Sequence, residues 1–149
     1  MALGWTLLWA FFDKLLGLGY ATKSGASWLN GGSPTSGYLT FASAGPLSGF
    51  YESLSGNTAV DVLFMAALLL IGGAVLIGIG TKISGYAGAL LMLLLWSSRL
   101  PPENNPIIDD HIVYAILFFA MTVVKPGRWL GLGEWWSKTS LVKRFPILE

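Results

Sequence analysis

The sequence predicts an all-α integral membrane protein: an antiparallel four-helix bundle forming one domain over residues 1–149, with both termini cytoplasmic and a long outer loop between helices one and two. Three observations carry this. Of 149 residues, 54% are hydrophobic and only 11% charged, against roughly 25% charged in ordinary soluble domains, and the mean hydropathy is +0.63. Four apolar runs approach the ~20 residues a helix needs to cross ~30 Å of hydrocarbon. The cations then divide unequally between the two ends of those runs. Lys82, Lys125, Arg128, Lys138, Lys143 and Arg144 fall on one side, Lys23 and Arg99 on the other, with Lys14 near the end of the first run. This is a positive-inside bias, and it sets the orientation.

The first run covers residues 2–20 and is apolar except for Thr6, Asp13 and Lys14. It has no basic leading region and no small-residue cleavage site, so it reads as a retained anchor. Residues 21–57 form the outer loop, too long for a mere connection. Its Trp28, Tyr38, Phe41, Phe50 and Tyr51 suit the headgroup level. Leu47, Phe50, Tyr51 and Leu54 have helical spacing, so Gly45–Pro46 is predicted to start a short interfacial helix ending at Gly56, folded over the outer mouth. The second run, 58–80, carries Asp61 near its start. The third, 83–100, follows after about two residues near Thr81 and Lys82, which forces a tight hairpin. Ala74 with Gly78, and Gly85 with Ala89, are small pairs that let helix backbones approach. After a short outer loop, 101–105, the fourth run covers 106–125. Asn105 is the predicted N-cap and Pro106 the first helical residue, and Lys125, Pro126 and Gly127 supply the stop. The tail, 126–149, places Trp129, Trp135 and Trp136 among basic residues and is expected on the cytoplasmic interface.

Composition narrows the chemistry. With no Cys, the chain offers no disulfide and no Cys-based zinc or iron–sulfur site; a single His excludes a bis-His haem held by this chain alone. No metal site is expected. A net charge of +1 lacks the basic stripe a nucleic-acid partner needs. No nucleophile elbow or phosphate loop is present, which removes hydrolase and kinase readings.

Charged groups inside spans are costly and are functional candidates by default. Asp13 and Lys14 lie in the outer half of span one, Asp61 in the first outer turn of span two, and Asp109, Asp110 and His111 in the first turns of span four, bordered by Arg99 and Glu103. The cytoplasmic half is dry by comparison. Asp110 and Tyr114 are four residues apart and His111 and Tyr114 three, so one helix face can present a carboxylate, an imidazole and a phenol. Trp9, Asp13 and Gly17 share a stripe on span one, where Asp13 and Lys14 point about 100° apart and look for partners on other helices. Structural roles compete with each of these. Acids in a first turn complement the helix dipole, Lys14 can snorkel to headgroups, Asp13 can belong to a buried ion pair, His111 can be a satisfied interfacial side chain, and Tyr114 can simply pack.

At the same residues a family resemblance enters. Asn105-Pro106-Ile107-Ile108-Asp109-Asp110-His111-Ile112-Val113-Tyr114-Ala115 resembles the fourth-helix signature of the DoxX/DoxD family. Trp9-Ala10-Phe11-Phe12-Asp13-Lys14-Leu15 is similar to that family's first helix, Trp28-Leu29-Asn30-Gly31-Gly32-Ser33-Pro34-Thr35 to its first outer loop, and the glycines at 72, 73, 78 and 80 to its hairpin. The resemblance extends over residues 3–136. It implies a four-helix, multi-pass protein of a bacterial or archaeal plasma membrane, with a place in respiratory electron transfer. DoxD-type members are subunits of thiosulfate:quinone oxidoreductase and pair with a second subunit. The family positions carried onto this chain are Lys14, Asp110 and His111.

The first functional expectation is therefore a quinone-interacting oxidoreductase subunit. A quinone needs an apolar slot, a donor to its carbonyl oxygen and a group that exchanges protons. His111, Asp110, Lys14 and Asp13 are the candidate catalytic residues; Trp9, Tyr114, Asp61 and Arg99 are the candidate quinone-binding residues. The chain stores no electrons itself, so a redox partner or bound cofactor is implied, and activity of the chain alone is not expected. The alternative is a structural or assembly subunit of a larger membrane complex without its own active site, and third a small transporter or lipid-binding protein; the partners considered are the bilayer, a redox subunit or larger membrane complex, and a second copy of the chain in a homo-oligomer.

Overall fold

The computed structural model describes residues 1–102 and 105–149. The fold is all-α. Among the described residues the one strand-like pairing is an isolated bridge between Ala44 and Arg99. Helix α1 spans Ala2–Leu16. It stops inside the run read as 2–20 because Gly17 turns left-handed (φ 69°) and returns its N–H to the Asp13 carbonyl at 2.8 Å. Residues 23–27 then cross so close that a Cβ on Gly17 would lie 2.6 Å from Ser24 Cα and 2.9 Å from the Lys23 carbonyl oxygen.

The long loop contains α2 (Ser36–Phe41) and α3 (Ser48–Ser53). The short helix read from Gly45 forms in two pieces, a 3-10 turn at Gly45–Leu47 followed directly by α3. Helix α4 (Thr58–Ile77) is capped by Asn57, whose side chain accepts from the Ala59 N–H at 2.9 Å. Helix α5 covers Thr81–Ser97. The hairpin between α4 and α5 is made by residues 78–80, with Gly78 and Gly80 left-handed (φ 81° and 59°), so Thr81 and Lys82 belong to the first turn of α5. Helix α6 is Asp110–Val124, with Asp109 rather than Asn105 as its cap. Asn105 instead accepts from the N–H groups of Ile107 and Ile108 at 3.0 and 3.1 Å and shapes the turn leading in. Glu103 lies outside the described residues. The tail folds into α7 (Gly127–Leu130), α8 (Gly133–Ser137) and α9 (Ser140–Arg144).

The four long helices share one core, in which Leu7, Phe11, Met65, Leu68, Met92 and Phe118 meet. Glycine sets the closest approaches. A Cβ on Gly4 would lie 2.8 Å from the Gly72 carbonyl oxygen, so α1 and α4 touch backbone to backbone. Across the α5–α6 contact, Phe118 lies over Gly88 and Thr122 over Gly85. At 1.5 Å per residue, α4 with 20 residues reaches about 30 Å, and α1, α5 and α6 reach about 22 to 26 Å. Among the described helices, α4 is the one long and apolar enough to cross a membrane by length and composition.

The two ends of this helix cluster are built differently. At one end the long loop is fastened down: Tyr38 OH meets Ser98 Oγ at 2.9 Å, Tyr51 OH meets Ser97 Oγ at 2.6 Å, and the Ala44 N–H donates to the Ser98 carbonyl at 2.8 Å. Burial pushes the Tyr38 hydroxyl above the usual tyrosine range, against the opposing pull of its Ser98 hydrogen bond and the Arg99 charge. At the other end the tail folds back onto the α4–α5 hairpin. The Leu132 N–H donates to the Ile77 carbonyl at 3.0 Å, and Gly127, Gly131 and Gly133 lie directly on the backbone at Gly78. Glu149 takes Lys125 Nζ at 2.6 Å on one oxygen and Arg128 on the other, while Trp136 Nε1 donates to the Leu148 carbonyl at 2.6 Å.

Candidate functional site

The N-terminus of α6 is held by one carboxylate that does two jobs. Asp109 Oδ1 accepts from the backbone N–H groups of His111 and Ile112 at 3.0 and 3.2 Å, capping the helix. Its Oδ2 lies 2.8 Å from His111 Nδ1. With a carboxylate as acceptor, the neutral ring keeps its proton on Nδ1 and presents Nε2 as the free nitrogen. Capping alone explains why Asp is favoured here, because the first N–H groups of a helix have no internal partner.

This pair opens into a cavity of about 500 Å³, within the ~300–1,000 Å³ range of small-molecule sites. Phe41, Ala44, Ile108 and Val113 supply apolar walls; Arg99, Asn105, Asp109, Asp110 and His111 supply polar ones. The bridge to Ala44 ties the backbone at Arg99 to the long loop, so the cavity is walled jointly by loop, α5 end and α6 start. Asp110 is exposed in this wall and makes no hydrogen bond or ion pair among the described residues. Of the candidate residues, the structure therefore brings together Arg99, Asp110 and His111. Tyr114 stands exposed one turn along α6 and is not in the cavity wall.

Asp13, Lys14 and Trp9 form a separate group around the end of α1, and no α1 residue lines this cavity. Asp13 is 2% exposed. One oxygen accepts the Tyr20 N–H at 3.3 Å; the other, Oδ2, has no partner among the described residues, and Ser27 Oγ is likewise buried and unpartnered among them. Lys14 is half-buried beside it and, among the described residues, makes no hydrogen bond or ion pair. Trp9 sits between Trp5 and the edge of Tyr20, with ring centroids 6.0 and 5.1 Å away.

Asp61 is engaged elsewhere again. Buried in the first turn of α4, its Oδ1 accepts from Ser33 Oγ at 2.8 Å, Thr35 Oγ1 at 2.5 Å and the Thr35 N–H at 3.3 Å. It ties the Gly-rich loop to the helix start, a use that sequence reasoning missed along with its partners Ser33 and Thr35. The orienting role of Asp109 was also missed; the signal available was an Asp two residues before a His at a helix start, where a capping side chain can reach back to the ring.

No protein-family model, curated protein or solved structure matches this chain.

Proposed function

We propose that this chain is a membrane-embedded subunit of a respiratory-type oxidoreductase and receives a quinone head group in the cavity beside His111. The observation that carries the proposal is the Asp109–His111 pair opening into a half-apolar cavity of quinone-compatible size. Reduction of a quinone consumes two electrons and two protons. The electrons come from a partner subunit or bound cofactor, because nothing in the chain stores them. Asp110 relays a proton from water to His111 Nε2, which then donates it to the reduced quinone oxygen while Asp109 holds the ring through Nδ1–H, and the same relay run a second time supplies the second proton. Arg99 places a cation in the same wall, favouring negative charge developing on the quinone oxygen. Positioned proton transfer of this kind contributes typically ~10²–10⁴ in rate.

Membrane embedding is supported by the outward faces of the helices. Leu63 and Leu70 on α4, Leu90 on α5, and Ile116 and Val123 on α6 are all exposed by more than half, alongside Trp5 on α1. A water-soluble monomer rarely leaves apolar surface of this extent uncovered. The helices shorter than α4 are accommodated by a locally thin bilayer and by flanking aromatic residues. On the cation census the loop end faces outward, in a bacterial or archaeal plasma membrane. The DoxX/DoxD resemblance suggests thiosulfate as the electron donor and a second subunit as its entry point.

The test is quinone reduction by protein purified in mild detergent with its co-purifying partners. Turnover that falls about 100-fold in His111→Ala, with the complex intact, supports the reading. Absence of quinone binding, together with unchanged turnover in that variant, overturns it. A structural or assembly role is the second reading, favoured by Asp61, whose buried carboxylate serves the loop alone. Under it, Asp13→Asn or Lys14→Met lowers the abundance of the complex without changing its specific activity. A transporter or lipid-binding role ranks third, since a second cavity at the tail end is lined mainly by apolar side chains.

A further inference from the structure

Helix α1 stops inside an apolar run, and a deeply buried carboxylate lies where it stops. The run of residues 2–20 carries the helix only as far as Leu16, because Gly17 turns left-handed. Asp13 lies one turn before that break and is almost fully buried. Its Oδ1 accepts the Tyr20 N–H from beyond the break, so the carboxylate belongs to the joint itself. Its Oδ2 has no partner among the described residues. Ser27 comes from the segment that crosses there. Its Cβ lies 3.0 Å from where a Cβ on Gly17 would stand, and Gly17, four residues on from Asp13, shares a face of α1 with it. Ser27 is 1% exposed, and its Oγ is also without a partner among the described residues. Backbone oxygens collect at the same place. The Gly17 N–H takes the Asp13 carbonyl at 2.8 Å, whereas the carbonyls of Lys14, Leu15 and Leu16 accept no hydrogen bond among the described residues. The last carbonyls of a helix have no partner within it and point along its axis, here toward the joint.

We infer that the break in α1 binds a monovalent cation of the sodium class, held by Asp13 Oδ2, Ser27 Oγ and carbonyl oxygens of the last turn of α1. A carboxylate removed from water needs a compensating charge. Lys14 does not supply it. Adjacent side chains point about 100° apart on a helix, and Lys14 makes no ion pair with Asp13 among the described residues. The ligands are all oxygen, the donor type that suits hard cations. One carboxylate balances one positive charge, and no group of three or more His, Cys, Asp or Glu that could hold a metal ion occurs among the described residues, which disfavours a divalent ion. The negative end of the α1 dipole adds to the attraction. Helices interrupted within a membrane use their C-terminal carbonyls for sodium in the same way. The absent Cys and single His bear on thiolate and imidazole sites and leave an oxygen-held alkali ion open. The bound ion fastens the end of α1 to the crossing segment. No α1 residue lines the cavity beside His111, and nothing in this site depends on a quinone.

The experiment is equilibrium binding of radioactive sodium to the full chain, purified in mild detergent with its co-purifying partners. Choline replaces sodium at constant ionic strength, so that general charge screening cancels. Wild type, Asp13→Asn, Ser27→Ala and Lys14→Met are compared. Wild type is expected to bind sodium saturably, and Asp13→Asn to lose that component. Ser27→Ala removes one oxygen dipole from a charged group and should raise the half-saturating sodium concentration about tenfold. If Asp13→Asn has lost helical content by circular dichroism, Ser27→Ala decides alone: a tenfold weakening in a folded protein supports the site, and unchanged affinity overturns it. Sodium bound equally by wild type and a folded Asp13→Asn overturns the inference, as does the absence of saturable binding to wild type. Binding that emerges only in Lys14→Met also overturns it, because Lys14 then serves as the counter-ion of Asp13 in the natural chain. Quinone turnover is not read in any arm, so failure here leaves the cavity beside His111 untouched.

Discussion

The loop end and the tail end of this protein solve the same problem, closing off a helix cluster, by opposite means. At the tail end, Glu149 is shared between Lys125 and Arg128, and glycines at 78, 127, 131 and 133 bring backbone against backbone. At the loop end, hydrogen bonds accepted by Asp61 from Ser33 and Thr35, and those made by the Tyr38 and Tyr51 hydroxyls, carry the closure, and polar capacity is left over: Asp13 Oδ2, Ser27 Oγ, Ser43 Oγ, the Asp110 carboxylate and the second nitrogen of His111. Buried polar atoms left without partners cost stability. Among the described residues three such atoms, Asp13 Oδ2, Ser27 Oγ and Ser43 Oγ, lie at the loop end, and one, Ser84 Oγ, lies at the tail end in the first turns of α5.

This contrast can be broken or sharpened by substitution. The largest effect is expected for Gly127→Val. Its Cβ would run into the Gly78 carbonyl, and because backbone cannot step aside, the cost should be about 3 kcal/mol or more; thermal unfolding and protease cleavage within 126–149 report it. A silent substitution there would end the claim that backbone contact holds the tail. Next is Asp61→Ala, which strands the Ser33 and Thr35 donors and should cost about 3 kcal/mol, read as early cleavage of residues 21–57. Asp61→Asn keeps one acceptor and should lose less. Third, Asp109→Asn preserves a good N-cap but weakens control of the His111 ring. Turnover with a redox partner should drop roughly tenfold, equivalent to about 1.4 kcal/mol in the barrier, with unfolding temperature nearly unchanged. A large fall in stability with normal specific activity would move this pair to the structural side of the comparison.

The smallest effect is that of Glu149→Gln, about 1 kcal/mol or less given that both cationic partners reach solvent. Its pH dependence has a definite sign. The hydrogen bond from Lys125 holds the Glu149 carboxyl below its usual value of 4.5, with burial opposing and Arg128 reinforcing. A folded-state value below the unfolded one means the contribution is complete above about pH 4.5 and is lost as pH falls through the depressed folded value. Denaturation scans from pH 7 to pH 3 should show wild type and Glu149→Gln converging toward acid.

The helices were legible because long apolar runs are local signals: each long helix falls largely within a run visible in the sequence. Their ends were less so. Gly17 reads as one more small residue in an apolar stretch, and its stop becomes clear only once residues 23–27 cross it. Asn105-Pro106 carries sound cap chemistry, yet Asp109 takes the cap because its carboxylate serves two backbone donors and a ring together. The cluster at the start of α6 was visible as Arg99, Asp110 and His111, since those residues are near one another in the chain. Asp61 was visible as an acid in a first turn, but its partners lie 26 and 28 residues away, a distance that helical spacing does not bridge. Asp13 and Lys14 shared the outer half of the map with His111 without sharing its cavity, because height along a bundle does not say which side of it a residue faces.

The glycine contact at the tail end also governs how this chain can drift. Backbone-on-backbone docking makes no demand on the side chains around it, so Trp129, Leu130 and Trp135, which point away and are exposed, are open to replacement. The positions at 78, 127, 131 and 133 have no room for even a methyl group. Saturation mutagenesis scored for folded protein should therefore trace a permissive tail interrupted by a few intolerant sites, a barcode of spacing whose meaning lies in what is missing from the side chain.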